Sequence, residues 1–172
     1  LTDEKVIIRN LPEIKDVTCM IEIIKDLGSE VKRLEHGVYE FITKNVKKTV
    51  IPESLAGKIR GSLLFSGAII ARKGEAVIPI PGGDKIGKRR IDTHLLALNK
   101  LGVNVEYGED SRLHFNKIKI ESEEIYIFLD EASVTATENI LIYAASQPVK
   151  TVIYNAACEP HVQNLCSFLI KM

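Results

Sequence analysis

The segment Pro81-Gly82-Gly83-Asp84-Lys85-Ile86-Gly87-Lys88-Arg89-Arg90-Ile91-Asp92-Thr93-His94 gathers the side chains of this chain best suited to chemistry. Glycines at 82, 83 and 87 permit tight turns in which successive backbone N–H groups face one ligand. Four cations (Lys85, Lys88, Arg89 and Arg90) surround a single carboxylate, Asp84. Fixed cations suit the phosphate of a phosphorylated substrate, and a lone acid among them can move one proton. A solvated basic hairpin has the same composition, because loose glycine patterns are weak signatures by themselves. The flanks therefore matter. Residues 76–80 read as a strand and residues 95–101 as a helix, so the segment is a strand-to-helix connection.

The elements that must position this segment recur along the chain. Asp26-Leu27-Gly28-Ser29-Glu30-Val31 matches Lys100-Leu101-Gly102-Val103-Asn104-Val105, each closing a helix on a C-cap glycine and opening a strand. Val6-Ile7 leading to Leu11-Pro12, Val77-Ile78 leading to Pro81-Gly82, and Val152-Ile153 leading to Ala156-Ala157 give three copies of the strand and its following loop. Met172 falls where Leu27 and Leu101 stand, just before the expected glycine, as if a third copy were cut at its cap.

A second type of helix precedes two of these strands. Residues 52–72 begin with a proline suited to a first turn and stop at Gly74, and residues 137–146 hold the matching place before the third strand. Small residues at Gly57, Gly61, Ser62 and Ser66 mark the first of these as an inner helix that other backbones approach closely. The predicted architecture is α/β (α+β), with about three repeats of strand, helix, strands and helix in a single domain, 1–172. It reads as one domain excised from a longer protein.

Composition narrows the class. The 172 residues carry 23 Lys and Arg against 23 Asp and Glu, which gives no electrostatic footprint for a nucleic-acid or acidic-membrane partner. No apolar run reaches the roughly 18 residues a membrane helix needs. Cys19, Cys158 and Cys166 are odd in number and lack zinc-like spacing, which fits a reducing cytoplasm and no metal. No cofactor motif is present.

Several motifs in register resemble one family. Arg60-Gly61-Ser62, Gly74-Glu75-Ala76-Val77, Pro81-Gly82-Gly83-Asp84-x-Ile86-Gly87-x-Arg89, Asp92 and His94 are similar to the UDP-N-acetylglucosamine 1-carboxyvinyltransferases, the enolpyruvyl transferases of peptidoglycan synthesis. Ser133-Val134-x-Ala136-Thr137-Glu138-Asn139 and Asn155-Ala156-Ala157-x-Glu159-Pro160 extend the resemblance across the chain in the right order. It implies a fold of two similar lobes, each an inside-out α/β barrel of three βαβαββ-type units with helices within and sheets outside. This chain resembles most of the first lobe, without the opening helix and without the second lobe that would complete the site.

The family moves the enolpyruvyl group of phosphoenolpyruvate to the 3′-hydroxyl of UDP-N-acetylglucosamine by addition and elimination, releasing phosphate. By resemblance Asp84 is the general acid, where many members carry the cysteine attacked by fosfomycin, so resistance to that drug is expected. Lys85, Lys88 and Arg89 favour its ionised form, so the working acid must gain its proton through burial or substrate charge. Arg89 and Arg60 match arginines of the phosphate region, where a planar guanidinium can make paired hydrogen bonds. Arg90, Ile91, Asp92, His94, Ser133, Val134 and Thr135 match the nucleotide side. A helix-surface salt bridge is the simpler reading of Arg60, and a capping or core role that of His94.

The chain departs from the family pattern at Arg90 (usually proline), Glu131 (commonly lysine), Thr135 (frequently glycine) and Cys158 (frequently arginine). These departures leave the acceptor sugar open. His36, His114 and His161 lack ligand spacing and read as surface or capping residues; Lys44, Lys47 and Lys48 read as a solvated loop. Cys19 and Cys166 read as core, and Glu159 as a helix-start carboxylate. The related shikimate-pathway transferase is an alternative, weakened because Ser133 is followed by Val134 rather than a second serine. A non-catalytic nucleotide-sugar-binding domain of the same fold is a third reading, and negligible turnover is expected of the isolated chain.

Overall fold

Strand by strand, the hydrophobic spacing of the sequence folds into three similar units. The computed structural model describes residues 1–82 and 90–172. Strands β1 (Val6–Ile8), β4 (Glu75–Pro79) and β8 (Lys150–Tyr154) are the three copies of the repeated strand. Helices α1 (Lys15–Asp26), α4 (Asp92–Lys100) and α6 (Pro160–Lys171) follow them. The first two helices end as expected on left-handed glycines, Gly28 at φ 103° and Gly102 at φ 71°, a conformation nearly free for a residue without Cβ. Asp16 in the first turn of α1 and Lys25 in its last complement the helix dipole.

Each of the first two units then adds a hairpin, β2 (Glu30–Glu35) with β3 (Val38–Ile42) and β5 (Val103–Tyr107) with β6 (Arg112–Lys117). The resulting antiparallel sheets have the same order, β1-β3-β2 and β4-β6-β5. In the third, β7 (Glu124–Phe128) pairs in parallel with β8, from Glu124 opposite Lys150 to Phe128 opposite Tyr154. The second unit has a parallel contact of the same kind. Val77 donates to Thr49 O at 2.8 Å and its carbonyl accepts from Ile51 at 3.1 Å, beside an isolated Val50–Val77 bridge.

Between these parallel neighbours run the inner helices, α5 (Val134–Ala144) and the segment ending in α3 (Phe65–Lys73). They pack on each other and bury Ile69, Ile70, Ile140 and Tyr143. Each of the three isoleucines contributes about 1.5–3 kcal/mol of transfer free energy. Inner helices with small sheets about them are the expected arrangement of an inside-out α/β lobe.

The single helix expected over residues 52–72 is instead broken. Helix α2 (Glu53–Ala56) ends at Gly57, Ile59 is extended (φ −140°, ψ 142°), and a 3₁₀ turn at Arg60–Leu64 leads into α3. Buried Ser62 stabilises the break by donating to Ile59 O (2.8 Å), with Ala56 O a second acceptor at 3.1 Å. One of the expected close approaches, at Gly61, is absent. A Cβ on Gly61 would meet nothing within 4 Å, whereas one on Gly67 would sit 2.6 Å from Asn139 Oδ1. Gly67, not Gly61, lets the inner helices touch.

A candidate nucleotide-binding corner

The end of β4, the start of α4 and the start of α5 meet at one corner. The break before the 3₁₀ turn supplies its third side, because Arg60 opens that turn and its Nη2 donates to Arg90 O at 2.7 Å. Arg90 Nε donates to Asp92 Oδ2 at 2.9 Å, and its Nη2 lies 3.6 Å from Asp130 Oδ2. These contacts raise the pKa of Arg90, the hydrogen bond to Asp92 first and the charges of Asp92 and Asp130 next. Asp130 is held below the usual carboxylate range, chiefly by the hydroxyl of Thr93, which donates at 2.7 Å. Glu131 Oε1 is a second, longer acceptor for Thr93 at 3.4 Å.

Below this exposed layer lies a buried polar one. His94, 2% exposed, has Nε2 3.1 Å from Thr135 Oγ1 and Nδ1 3.3 Å from Asn139 Nδ2. Burial, and secondarily the charge of Arg60, lowers its pKa from 6.5 to about 4, so the ring is neutral at pH 7. Asn139 also donates to Ser66 Oγ at 2.9 Å and accepts from Gly67 N–H at 3.0 Å. Helix α5 starts at Ser133, whose hydroxyl caps it by accepting from Ala136 N–H at 3.4 Å. Thr137 donates to Ser133 O at 2.8 Å and accepts from Ala157 N–H at 3.0 Å, tying α5 to the β8–α6 loop.

The residues named from sequence thus divide. Arg60, Arg90, Asp92, His94, Ser133, Val134 and Thr135 converge on the corner, with His94 in its buried layer rather than on its surface. Ile91 forms the N-cap of α4 with its side chain in the core. Asp84 and Arg89 lie outside the described residues, as do Lys85 and Lys88. No part in the corner was foreseen for Thr93, Asp130 or Ser66. Thr93 and Asp130 are short polar residues flanking expected site positions, and only the pairing of two distant loops reveals them. Elsewhere Cys19 is buried and Cys158 exposed. Among the described residues no group of three His, Cys, Asp or Glu could hold a metal ion, and no helix is long and apolar enough to cross a membrane.

Such a corner offers hydroxyls, the first-turn N–H groups of α5 and a paired arginine, a set that recognises phosphate and carbonyl oxygens. All 172 residues match the protein family described as EPSP synthase (3-phosphoshikimate 1-carboxyvinyltransferase). The chain belongs to the EPSP synthase family. Among curated relatives, the UDP-N-acetylglucosamine 1-carboxyvinyltransferase of Treponema denticola is 49% identical over the whole chain, and that of Borrelia garinii 45%. The chain spans 39% of the length of each. Among solved structures, the enolpyruvyl transferase NikO from Streptomyces tendae superposes with a TM-score of 0.79 at 20% identity, covering 98% of this chain and 39% of that protein. EPSP synthase from Acinetobacter baumannii gives 0.68 at 15% identity, covering 95% and 38%. Both are likenesses of fold, and they agree with the three-unit architecture.

Proposed function

We propose that this chain is the first lobe of a cytoplasmic enzyme that transfers enolpyruvate from phosphoenolpyruvate to the 3′-hydroxyl of UDP-N-acetylglucosamine, a step of peptidoglycan synthesis. The observation that carries the reading is whole-chain identity of 40–49% to enzymes bearing that name, far above the 15–20% of the structural neighbours. The share of the relatives covered supports a longer polypeptide. So does an apolar groove of about 510 Å³ lined by Leu1, Met20, Ile24, Ala68, Ile142 and Leu165. Among the described residues inner helices precede β4 and β8 and none precedes β1, and an apolar helix of the longer polypeptide suits the groove.

In this reading Asp84 protonates the methylene carbon of phosphoenolpyruvate as the sugar hydroxyl adds to the neighbouring carbon. The same methyl group then loses a proton as phosphate departs, restoring the double bond. Arg89 and Arg60 balance the phosphate charge. The corner of Arg90, Ile91, Asp92, His94, Ser133, Val134 and Thr135 holds the nucleotide, and a second lobe supplies the base for the hydroxyl. The reaction needs no metal or cofactor in this scheme.

The test is phosphate release from phosphoenolpyruvate by the full-length polypeptide, with UDP-N-acetylglucosamine or shikimate 3-phosphate as acceptor. Release only with the sugar nucleotide is expected. Release with shikimate 3-phosphate would assign the alternative, and release with neither would leave a binding domain. The 172-residue chain alone is expected to fold without appreciable turnover; a rate of about 1 s⁻¹ or more would contradict the two-lobe reading.

A further inference from the structure

The buried layer under the corner contains a chain of hydrogen bonds whose direction is fixed from its inner end. Gly67 N–H can only donate, so the Asn139 atom facing it at 3.0 Å is the carbonyl oxygen Oδ1. The amide nitrogen then points the other way, toward Ser66 Oγ at 2.9 Å and His94 Nδ1 at 3.3 Å. Ser66 uses its own proton on Leu63 O at 2.8 Å, so its oxygen is free to accept. The second amide hydrogen is left for His94 Nδ1, which must be the bare nitrogen of a neutral ring. The ring proton is therefore on Nε2, 3.1 Å from Thr135 Oγ1. Accepting there, Thr135 cannot also donate to His94. Among the described residues no acceptor for its hydroxyl hydrogen lies within bonding distance, and the side chain is half-buried at the corner's surface.

We infer that Asn139, acting through the Nε2–H tautomer of His94, turns the Thr135 hydroxyl outward as a fixed hydrogen-bond donor to an acceptor-only oxygen of the bound nucleotide, a phosphate or ring carbonyl oxygen. The inference rests on the proposed nucleotide site. Asn139 and His94 are positioning residues, and Thr135 a specificity residue. An oriented hydroxyl adds discrimination because it has less rotor freedom to lose and would stand unpaired beside a ligand group lacking an acceptor. Ser66, Asn139 and His94 are each 0–2% exposed, so water does not compete for the chain of bonds.

Two measurements on the full-length protein test this. Nitrogen-15 histidine spectra without ligand, with His94→Gln to assign the resonance, should show Nε2 protonated and Nδ1 bare. The opposite tautomer overturns the inference whatever the protein binds. Affinity for UDP-N-acetylglucosamine should fall about tenfold in Thr135→Val, which keeps the shape without the donor, and recover in Thr135→Ser. Asn139→Asp should draw the proton to Nδ1, let Thr135 turn inward, and cost the same factor with no further loss when combined with Thr135→Val. Unchanged affinity in Thr135→Val, with the wild type binding normally, overturns the role of Thr135 and leaves the nucleotide site standing. Absence of UDP-N-acetylglucosamine binding by the wild type overturns the site itself and the ligand half of the inference with it. Among variants that bind, a larger loss for UDP than for uridine assigns a phosphate oxygen, and an equal loss assigns the ring carbonyl.

Discussion

The three strand-to-helix connections are copies of one another, yet only the middle one carries a candidate site. Residues 9–14 join β1 to α1 and residues 155–159 join β8 to α6, and both loops turn on an asparagine in the left-handed region, Asn10 at φ 58° and Asn155 at φ 55°. The middle connection, residues 80–91, is about twice as long and holds the basic cluster. The helices that follow differ at one instructive place. Counting from their ends, Met20, His94 and Leu165 occupy the same position in the three copies. Met20 and Leu165 line the apolar groove, whereas His94 joins Ser66 and Asn139 in the buried polar layer. A repeat can thus keep its order of elements and gain a candidate site by lengthening one loop and exchanging one apolar helix face for a satisfied polar one. The exchange is tolerable only because every member finds a partner, since an unpaired buried polar group costs about 1–3 kcal/mol.

The sharpest way to break the comparison is through the carboxylates of the two loops. If Asp84 has the proposed role of general acid, Asp84→Asn is expected to lower phosphate release by the full-length polypeptide by about 10²–10⁴-fold. Glu13→Gln in the first connection, where Glu13 only pairs with Arg33, should leave it unchanged. Equal effects, or none from Asp84→Asn, would remove the middle loop's special role. Because residue 84 lacks a thiol, fosfomycin should neither label the protein nor inhibit it; mass spectrometry of an incubated sample would reveal an adduct.

A smaller effect concerns the polar layer. Gly67→Ala drives a Cβ to within 2.6 Å of Asn139 Oδ1 and 2.7 Å of its backbone O, and should cost about 2–3 kcal/mol in a urea titration. Gly61→Ala, in open space, should be neutral or stabilise by about 0.5 kcal/mol. Similar costs at both sites would mean that the inner helices do not meet at Gly67.

His94 gives the layer a pH signature. Its pKa is lowered from 6.5 to about 4 on folding, so the unfolded chain binds the proton more readily. Stability is fully present above pH 6.5, declines as pH falls toward 4, and loses at most about 3 kcal/mol over that window. His94→Gln should flatten that part of the profile. A wild-type profile that is flat between pH 6.5 and 4 would contradict the neutral buried ring.

The smallest expected change is Tyr143→Phe. The Tyr143 hydroxyl is buried without a partner among the described residues, and burial pushes its pKa up to about 12. Removing it should leave stability unchanged or raise it by up to about 1 kcal/mol, whereas a clear loss would reveal a hydrogen bond that this account lacks.

Much of this contrast was legible in the sequence, for reasons that are local. The caps at Gly28, Gly74 and Gly102 announce themselves because left-handed backbone favours glycine, and they fix the repeat. Ser133 followed by an apolar run marks the start of α5. Residues 52–72 misled because an opening proline and a closing glycine frame one helix and no proline interrupts it. The break depends on Ser62 finding two carbonyls after the chain has turned, which no periodicity encodes. Asn139 and Thr93 were equally hidden, as their partners lie 72–73 and 37 residues away in sequence.

The most direct test of the central claim is an amide NMR titration of this chain with UDP-N-acetylglucosamine, read at all three connections at once. The account predicts shifts at Arg90–His94 and Ser133–Thr135, larger than with UDP alone, and none at residues 9–14 or 155–159. Shifts at the outer connections in place of the middle one, or equal shifts at all three, would contradict it.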